Sequence, residues 1–165
     1  MARYATGNPL RETCDLLVVP SARVFDANDV PGSMGPFGPF ALERIPNLRT
    51  RIRRSLEANR LLGRDHFFTL VQDAPPSASV ALLQTRPHPR APHDAETVAI
   101  SVAQLRLYAR AHPDRDICMV HPARDPQRSD DARIDALLAT LPGNVTVWRL
   151  GSSTWDHADL SPSNA

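Results

Sequence analysis

Three of the seven glycines in this chain, Gly32, Gly35 and Gly38, stand three residues apart in the stretch DVPGSMGPFGPFALERIP, residues 29–46. Glycine is needed where φ is positive or where another group must approach the main chain closely. A glycine-rich turn that runs into a helix can turn its main-chain N–H groups, here those of Ser33, Met34 and Gly35, toward an anion such as a diphosphate without any cation. Pro36 and Pro39 remove two donors, and Phe37 or Phe40 could stack on a base or a ribose. The same spacing also fits a proline-stiffened corner whose phenylalanines fill the core.

Three further groups could do chemistry. Thr6, Gly7 and Asn8 make a polar turn. The Asn8 amide offers both a donor and an acceptor and could read the edge of a base, although an ordinary Asn-Pro turn has the same composition. The stretch TRPHPRAPHD, residues 85–94, carries Arg86, His88, Arg90 and His93. Guanidinium groups clamp oxyanions bidentately, and His88 could move a proton near neutral pH. The stretch HPARDPQRSD, residues 121–130, holds His121, Arg124, Asp125 and Arg128. Arg124 could supply positive charge, and Asp125 could orient a water as a general base. Either loop reads equally well as a solvated surface segment.

The candidate set is therefore His88 and Asp125 for catalysis, with Thr6, Gly7, Asn8, Gly32, Ser33, Met34, Gly35, Phe37, Gly38 and Arg124 for binding. A zinc site at His88 and His93 would lack cysteine or acidic neighbours at the usual spacing. Cys14 and Cys118 each stand beside an expected strand and read as buried free thiols. Neither a Gly-x-Ser-x-Gly elbow nor a Walker-type loop is present. No metal and no cofactor is expected.

The elements that must position these residues follow from periodicity. ARYATG is a short strand, and CDLLVVP (14–20) is a continuous apolar run ended by Pro20, the pattern of a strand buried on both faces. A helical turn at 39–45 breaks at Pro46. A second helix begins with Asn47 as N-cap, carries Leu48, Ile52 and Leu56 on one face, and ends before Gly63. Strands follow at 66–72 and 80–85. Asp94 caps a helix whose stripe is Val98, Val102, Leu105 and Ala109. A buried strand at 116–122, a helix opening at Ser129 with Ile134, Leu137, Leu138 and Leu141 along one face, and a last strand VTVWRL complete the order. Beyond a first hairpin-like pair, strands and helices alternate, which predicts a three-layer α/β protein with a mixed, largely parallel sheet of about six strands. In such sheets ligands bind at the carboxyl ends of the strands. The expected division is one domain over residues 1–150 and a polar tail over 151–165.

With 165 residues, 42% hydrophobic and 22% charged, the chain can bury a real core. Its formal net charge of +1 gives no bulk footprint for nucleic acid, and it contains no lysine, so all 19 Lys/Arg cations are arginine and no mechanism can use a lysine amine. The N-terminal MARYATGNPLRETCD has no apolar run, and no stretch approaches the roughly 20 apolar residues of a membrane span. A cytoplasmic protein without a membrane partner is expected.

The order of these pieces resembles the macro domain, the ADP-ribose-binding fold. TGNPLRETCDLLVVPSA is similar to that family's opening, Thr-Gly-Asp-Ile followed by an Asp before a hydrophobic strand. GSMGPFGPFALERIP is similar to its Gly-x-Met-Gly-Lys-Gly loop and helix, and LLGRDHFFTL to its Leu-x-Leu-Gly-x-x-Phe segment. LLQTRPHPRAPHD resembles the Pro-Thr-Lys-x-His-Trp-Arg loop of the subgroup that reverses ADP-ribosylation of DNA. The resemblance runs in order over about 150 residues and implies a macro-like α/β/α fold. Asn8 stands where the family has the acid that holds adenine, Val19 and Ala22 where it has asparagines by the distal ribose, and Pro36 where it has the loop lysine. The loop at 121–130 lacks the family's second set of glycines. The resemblance therefore implies binding of ADP-ribose or a related nucleotide without the usual catalytic residues. Two alternatives stay open. One is an ADP-ribosyl hydrolase acting on modified DNA or protein through substituted residues. The other is a protein-interaction domain whose pocket has closed.

Overall fold

The computed structural model describes residues 1–9, 14–22, 34, 38–61, 67–71, 80–88, 90–122 and 129–149. Six strands form one sheet: β1 (Arg3–Thr6), β2 (Leu16–Ala22), β3 (Phe68–Val71), β4 (Val80–Arg86), β5 (Ile117–Val120) and β6 (Val145–Arg149). Among the described residues four helices can be bounded: α1 (Gly38–Arg44), α2 (Leu48–Leu61), α3 (Ala95–Ala111) and α4 (Ser129–Leu138). The strand order is β1-β6-β5-β2-β4-β3. All neighbours run parallel except β3, which pairs antiparallel with β4.

The mixed, mostly parallel sheet is the expected one, but β1 and β2 are not a hairpin-like pair. β1 lies at the sheet edge, paired in parallel with β6, and two strands separate it from β2. Its residues are mostly exposed, as suits an edge, whereas every residue of β2 and β4 is buried. A strand covered on both faces has no solvent side to mark with polar residues, which is why LLVV and VALL are continuous apolar runs.

Pro20 does not end β2, which continues to Ala22. The ladder with β5 stops at Val18↔Met119, so Pro20 is paired only with β4, opposite Leu83. Past the end of one ladder, a missing N–H need cost no sheet hydrogen bond. Asn47 heads α2 as its carbonyl accepts the Arg51 N–H at 3.0 Å, but its φ of 56° is left-handed rather than the extended geometry of an ordinary N-cap. Asparagine tolerates that region better than other side-chain-bearing residues, and here it lets the chain turn from α1 into α2.

The alternation of side chains along the strands makes two cores. Leu16, Val18, Ala81, Leu83, Ile117, Met119, Val145 and Val147 face α3 and α4, meeting Val98, Val102, Leu105, Ala109, Ile134 and Leu138. Leu17, Val19, Val71, Val80, Leu82, Cys118 and Val120 face the other way, against Met34, Ala41, Leu48 and Ile52. The result is three layers, helices on both sides of the sheet. Asp94 caps α3 as expected, with its carboxylate accepting from the Glu96 and Thr97 amides at 3.4 and 3.2 Å. No helix among the described residues is long and apolar enough to cross a membrane.

Candidate functional site

The carboxyl ends of β1, β6, β5, β2 and β4 line up in that order along one edge of the sheet. Four gaps between strands, each about 4.8 Å, make a rim of roughly 19 Å.

At the β1 end lie Thr6, Gly7 and Asn8. Gly7 has φ of 142° and donates its N–H to the Arg149 carbonyl at 3.1 Å, extending the β1–β6 pairing by one residue. A Cβ there would stand 3.3 Å from the Trp148 ring, so conformation and space both call for glycine. Asn8 follows, half-buried.

At the other end, β4 finishes in Gln84, Thr85 and Arg86, all buried. The β2–β4 register slips by one residue here: Ser21 pairs with Gln84, and Ala22 with Arg86. Such irregularities re-aim side chains at the ends of strands. Thr85, the extra residue, donates to the Ser21 carbonyl at 3.4 Å and lies 2.8 Å from His93 Nδ1. The Asp94 N–H bonds to the Thr85 carbonyl at 2.8 Å. The chain therefore leaves and re-enters at one point, and His88 and Arg90 stand exposed on the loop between. Of the four basic residues seen together in the sequence, Arg86 and His93 turn inward and the other two do not. Burial pushes the Arg86 pKa down from its ordinary value, because a guanidinium loses hydration there.

Between these ends sits His121, just past β5, with a side chain only 2% exposed. Its Nε2 lies 2.6 Å from Asp135 Oδ1 on α4, and Arg149 of β6 donates to the same oxygen at 2.8 Å. Burial alone would raise the Asp135 pKa. The hydrogen bond from His121 and the charges of His121 and Arg149 outweigh it and hold the carboxyl below its usual range. This network ties the ends of β5 and β6 to α4.

The face toward α1 and α2 is different. By alternation, Ser21 continues the row Leu17–Val19, and Gln84 the row Val80–Leu82. Both are 0% exposed. Among the described residues, the Ser21 hydroxyl and both ends of the Gln84 amide have no hydrogen-bond partner. The Trp148 indole N–H, on the same face, has no oxygen acceptor either and is placed only against the Cys118 sulfur. Buried polar groups are nearly always paired, so two side chains on one face with no partner among the described residues need a reason.

Met34 is buried against this face, with its side chain in the core, and Gly38 begins α1. Gly32, Ser33, Gly35, Phe37, Arg124 and Asp125 lie outside the described residues. Cys118 is buried as expected, but Cys14 is only half-buried. The hydrogen bond between the two thiols lowers the pKa of Cys14 and raises that of Cys118. Among the described residues no group of three or more His, Cys, Asp or Glu could hold a metal ion.

The sequence reading did not single out Ser21, Gln84 or Trp148. A signal was there: within LLVVPSA and VALLQTR, the polar residue falls on the same period-two row as apolar neighbours that face the core.

No family model matches this chain, and no curated protein sequence does. Solved structures do. The macrodomain of Thermus aquaticus DarG superposes with a TM-score of 0.60 at 22% identity, covering 92% of this chain and 98% of that one. The macrodomain of Mycobacterium tuberculosis DarG does so with a TM-score of 0.62 at 17% identity, covering 92% and 99%. The chain thus has the macrodomain fold over nearly its whole length.

Proposed function

We propose that this protein binds ADP-ribose or a closely related nucleotide along the carboxyl rim from β1 to β4. The observation that carries the reading is the concentration of buried polar side chains at this rim, in a sheet of the macrodomain fold whose other buried side chains, Thr69 apart, are apolar. Asn8 at one end suits a base edge. Arg86 at the other brings positive charge suited to phosphate oxygens. The glycine run at 32–38 would add main-chain donors in the manner of an anion-binding turn. A pocket closed by apolar packing fits less well, since it would leave Ser21 and Gln84 buried with no partner among the described residues, at a cost in stability.

Titration calorimetry with ADP-ribose, ADP and AMP tests this. Saturable heat with one ADP-ribose per chain, tighter than for AMP, is the expected result. Silence with ADP-ribose at millimolar concentration overturns the reading.

A second reading, removal of ADP-ribose from modified DNA or protein, draws on the exposure of His88 beside the same rim. Attack by a positioned water would ask more of substrate orientation than of a particular nucleophile. Release of ADP-ribose from modified DNA or protein would establish it. Turnover unchanged in both His88→Ala and Asp125→Ala would remove those two residues from the mechanism.

A further inference from the structure

We infer that Cys14 and Cys118 are a thiol switch, whatever the rim binds: Cys14 is the site at which a small disulfide oxidant reacts, and Cys118 closes the pair into a reversible intrachain disulfide beside Trp148. The chain has two cysteines, far apart in sequence, and the fold brings them together. Cys118 lies in β5, buried, in the core that faces α1 and α2. Cys14 stands just before β2 and packs half-buried against the same core. The main chain holds them there. The Asp15 and Leu16 N–H groups both donate to the Asp116 carbonyl, at 2.8 and 3.3 Å, and the Asp116 N–H donates to Asp15 Oδ2 at 2.8 Å. The β2–β5 ladder then begins at Leu16↔Ile117, so Cys14 is outside it and can approach Cys118 without breaking a strand pair. The two thiols hydrogen-bond to each other. Either one alone would be an ordinary core thiol. What points to chemistry is that they meet, one accessible and the other not.

The positions divide the work. Cys14 is reached from solvent, and the hydrogen bond from Cys118 favours its thiolate, the reactive form. Cys118 is shielded from reagents in solution. In the first step the Cys14 thiolate attacks one sulfur of a low-molecular-weight disulfide, forming a mixed disulfide and releasing one thiolate. In the second, Cys118 passes its proton to the departing thiolate, its sulfur attacks the Cys14 sulfur, and the second half of the reagent leaves as a thiol. Two protein sulfurs are oxidised and the two sulfurs of the reagent are reduced. The Trp148 N–H, placed on the Cys118 sulfur, favours the thiolate that this step needs. Drawing that sulfur toward Cys14 changes what the indole N–H meets. The Trp148 ring also lies against Gly7, where a Cβ would stand 3.3 Å away, so the change is carried toward the Thr6–Gly7–Asn8 turn.

The test treats the full chain with 2-hydroxyethyl disulfide, a neutral reagent that the nearby carboxylates of Asp15 and Asp116 do not repel. Free thiols, intact mass and the Trp148 indole N–H in nitrogen-15 NMR are followed. The folded wild type should lose both thiols, carry a Cys14–Cys118 cross-link with no reagent retained, and regain both thiols in dithiothreitol. The Trp148 signal should move on oxidation and return on reduction. Cys118→Ser should stop at a mixed disulfide on Cys14. The remaining thiol of Cys14→Ser should react about tenfold or more slowly than the remaining thiol of Cys118→Ser.

A wild type that stops at the mixed disulfide, or that cross-links only when unfolded in urea, overturns the inference. So does a disulfide formed between two chains, or a Trp148 signal that stays in place as the cross-link forms. Equal rates in the two variants would overturn the assignment of Cys14 as the attacking thiol. Should either variant fail to fold, the wild-type measurements decide alone.

Discussion

The two faces of the sheet treat their polar residues in opposite ways. Toward α3 and α4, the polar side chains described at this rim meet one another. His121 meets Asp135, which also receives Arg149; Thr85 meets His93; Asp94 caps α3. Toward α1 and α2, at the same end of the same strands, Ser21 and Gln84 are buried with no hydrogen-bond partner among the described residues, and the Trp148 N–H meets the Cys118 sulfur. The first arrangement serves the fold. The second lowers stability unless something else completes it, and proteins keep such features where a ligand is bound. Substitutions on the two faces should therefore separate stability from binding.

The largest effect is expected deep in the closed face. Leu105 is fully buried between α3 and the sheet, far along the helix from the rim. Leu105→Ala should lose about 2–5 kcal/mol in urea unfolding through the cavity it leaves. The variant that remains folded should bind ADP-ribose as the wild type does. A tenfold weaker affinity would break the separation between the faces.

Asp135→Asn comes next, at about 1–3 kcal/mol, since the buried His121 loses a charged partner. The pH dependence has a definite sign. A carboxyl held below its ordinary value of 3.8 contributes stability that is present above that pH and is lost as pH falls through the lower folded value. Acid unfolding of the variant should therefore be shallower in that range. An identical acid profile would remove the network from the account.

Asp94→Ala should cost about 1 kcal/mol by uncapping α3, seen in the same unfolding measurement. Its effect should add to that of Asp135→Asn if the two contacts are independent. A small chemical contrast sharpens the picture of the open face. A maleimide should label half-buried Cys14 in the native protein and reach Cys118 only after unfolding. Equal native labelling would contradict the burial of Cys118.

Much of this fold was legible before any coordinates. Runs such as DICMVHP and the stripe Val98–Val102–Leu105–Ala109 carry their periodicity openly, and Asp94 before a helical run is a cap by chemistry alone. Strand order was not legible. Nothing in ARYATG says that it pairs with residues 145–149, because parallel pairing across the chain is decided by packing between distant elements. Pro20 misled for a related reason: whether a proline breaks a strand depends on where the neighbouring ladder stops. The site was half legible. The Thr6–Gly7–Asn8 turn and the 85–94 loop were visible as clusters of chemistry. Gln84 looked like the end of a strand, and its significance appeared only when its amide was found buried without a partner. His121 lay at the end of the expected strand 116–122 and at the head of the 121–130 stretch; it falls just past β5, buried, and is held by Asp135 from a helix fourteen residues later.

The most direct test of the open face is a nitrogen-15 NMR titration with ADP-ribose that follows the Trp148 indole N–H and the Gln84 side-chain amide. The account predicts that both signals shift and saturate together, while the amides of Ser101 and Leu105 on the closed face stay in place. Shifts confined to the closed face, or no shift in either side chain as binding heat saturates, would contradict it.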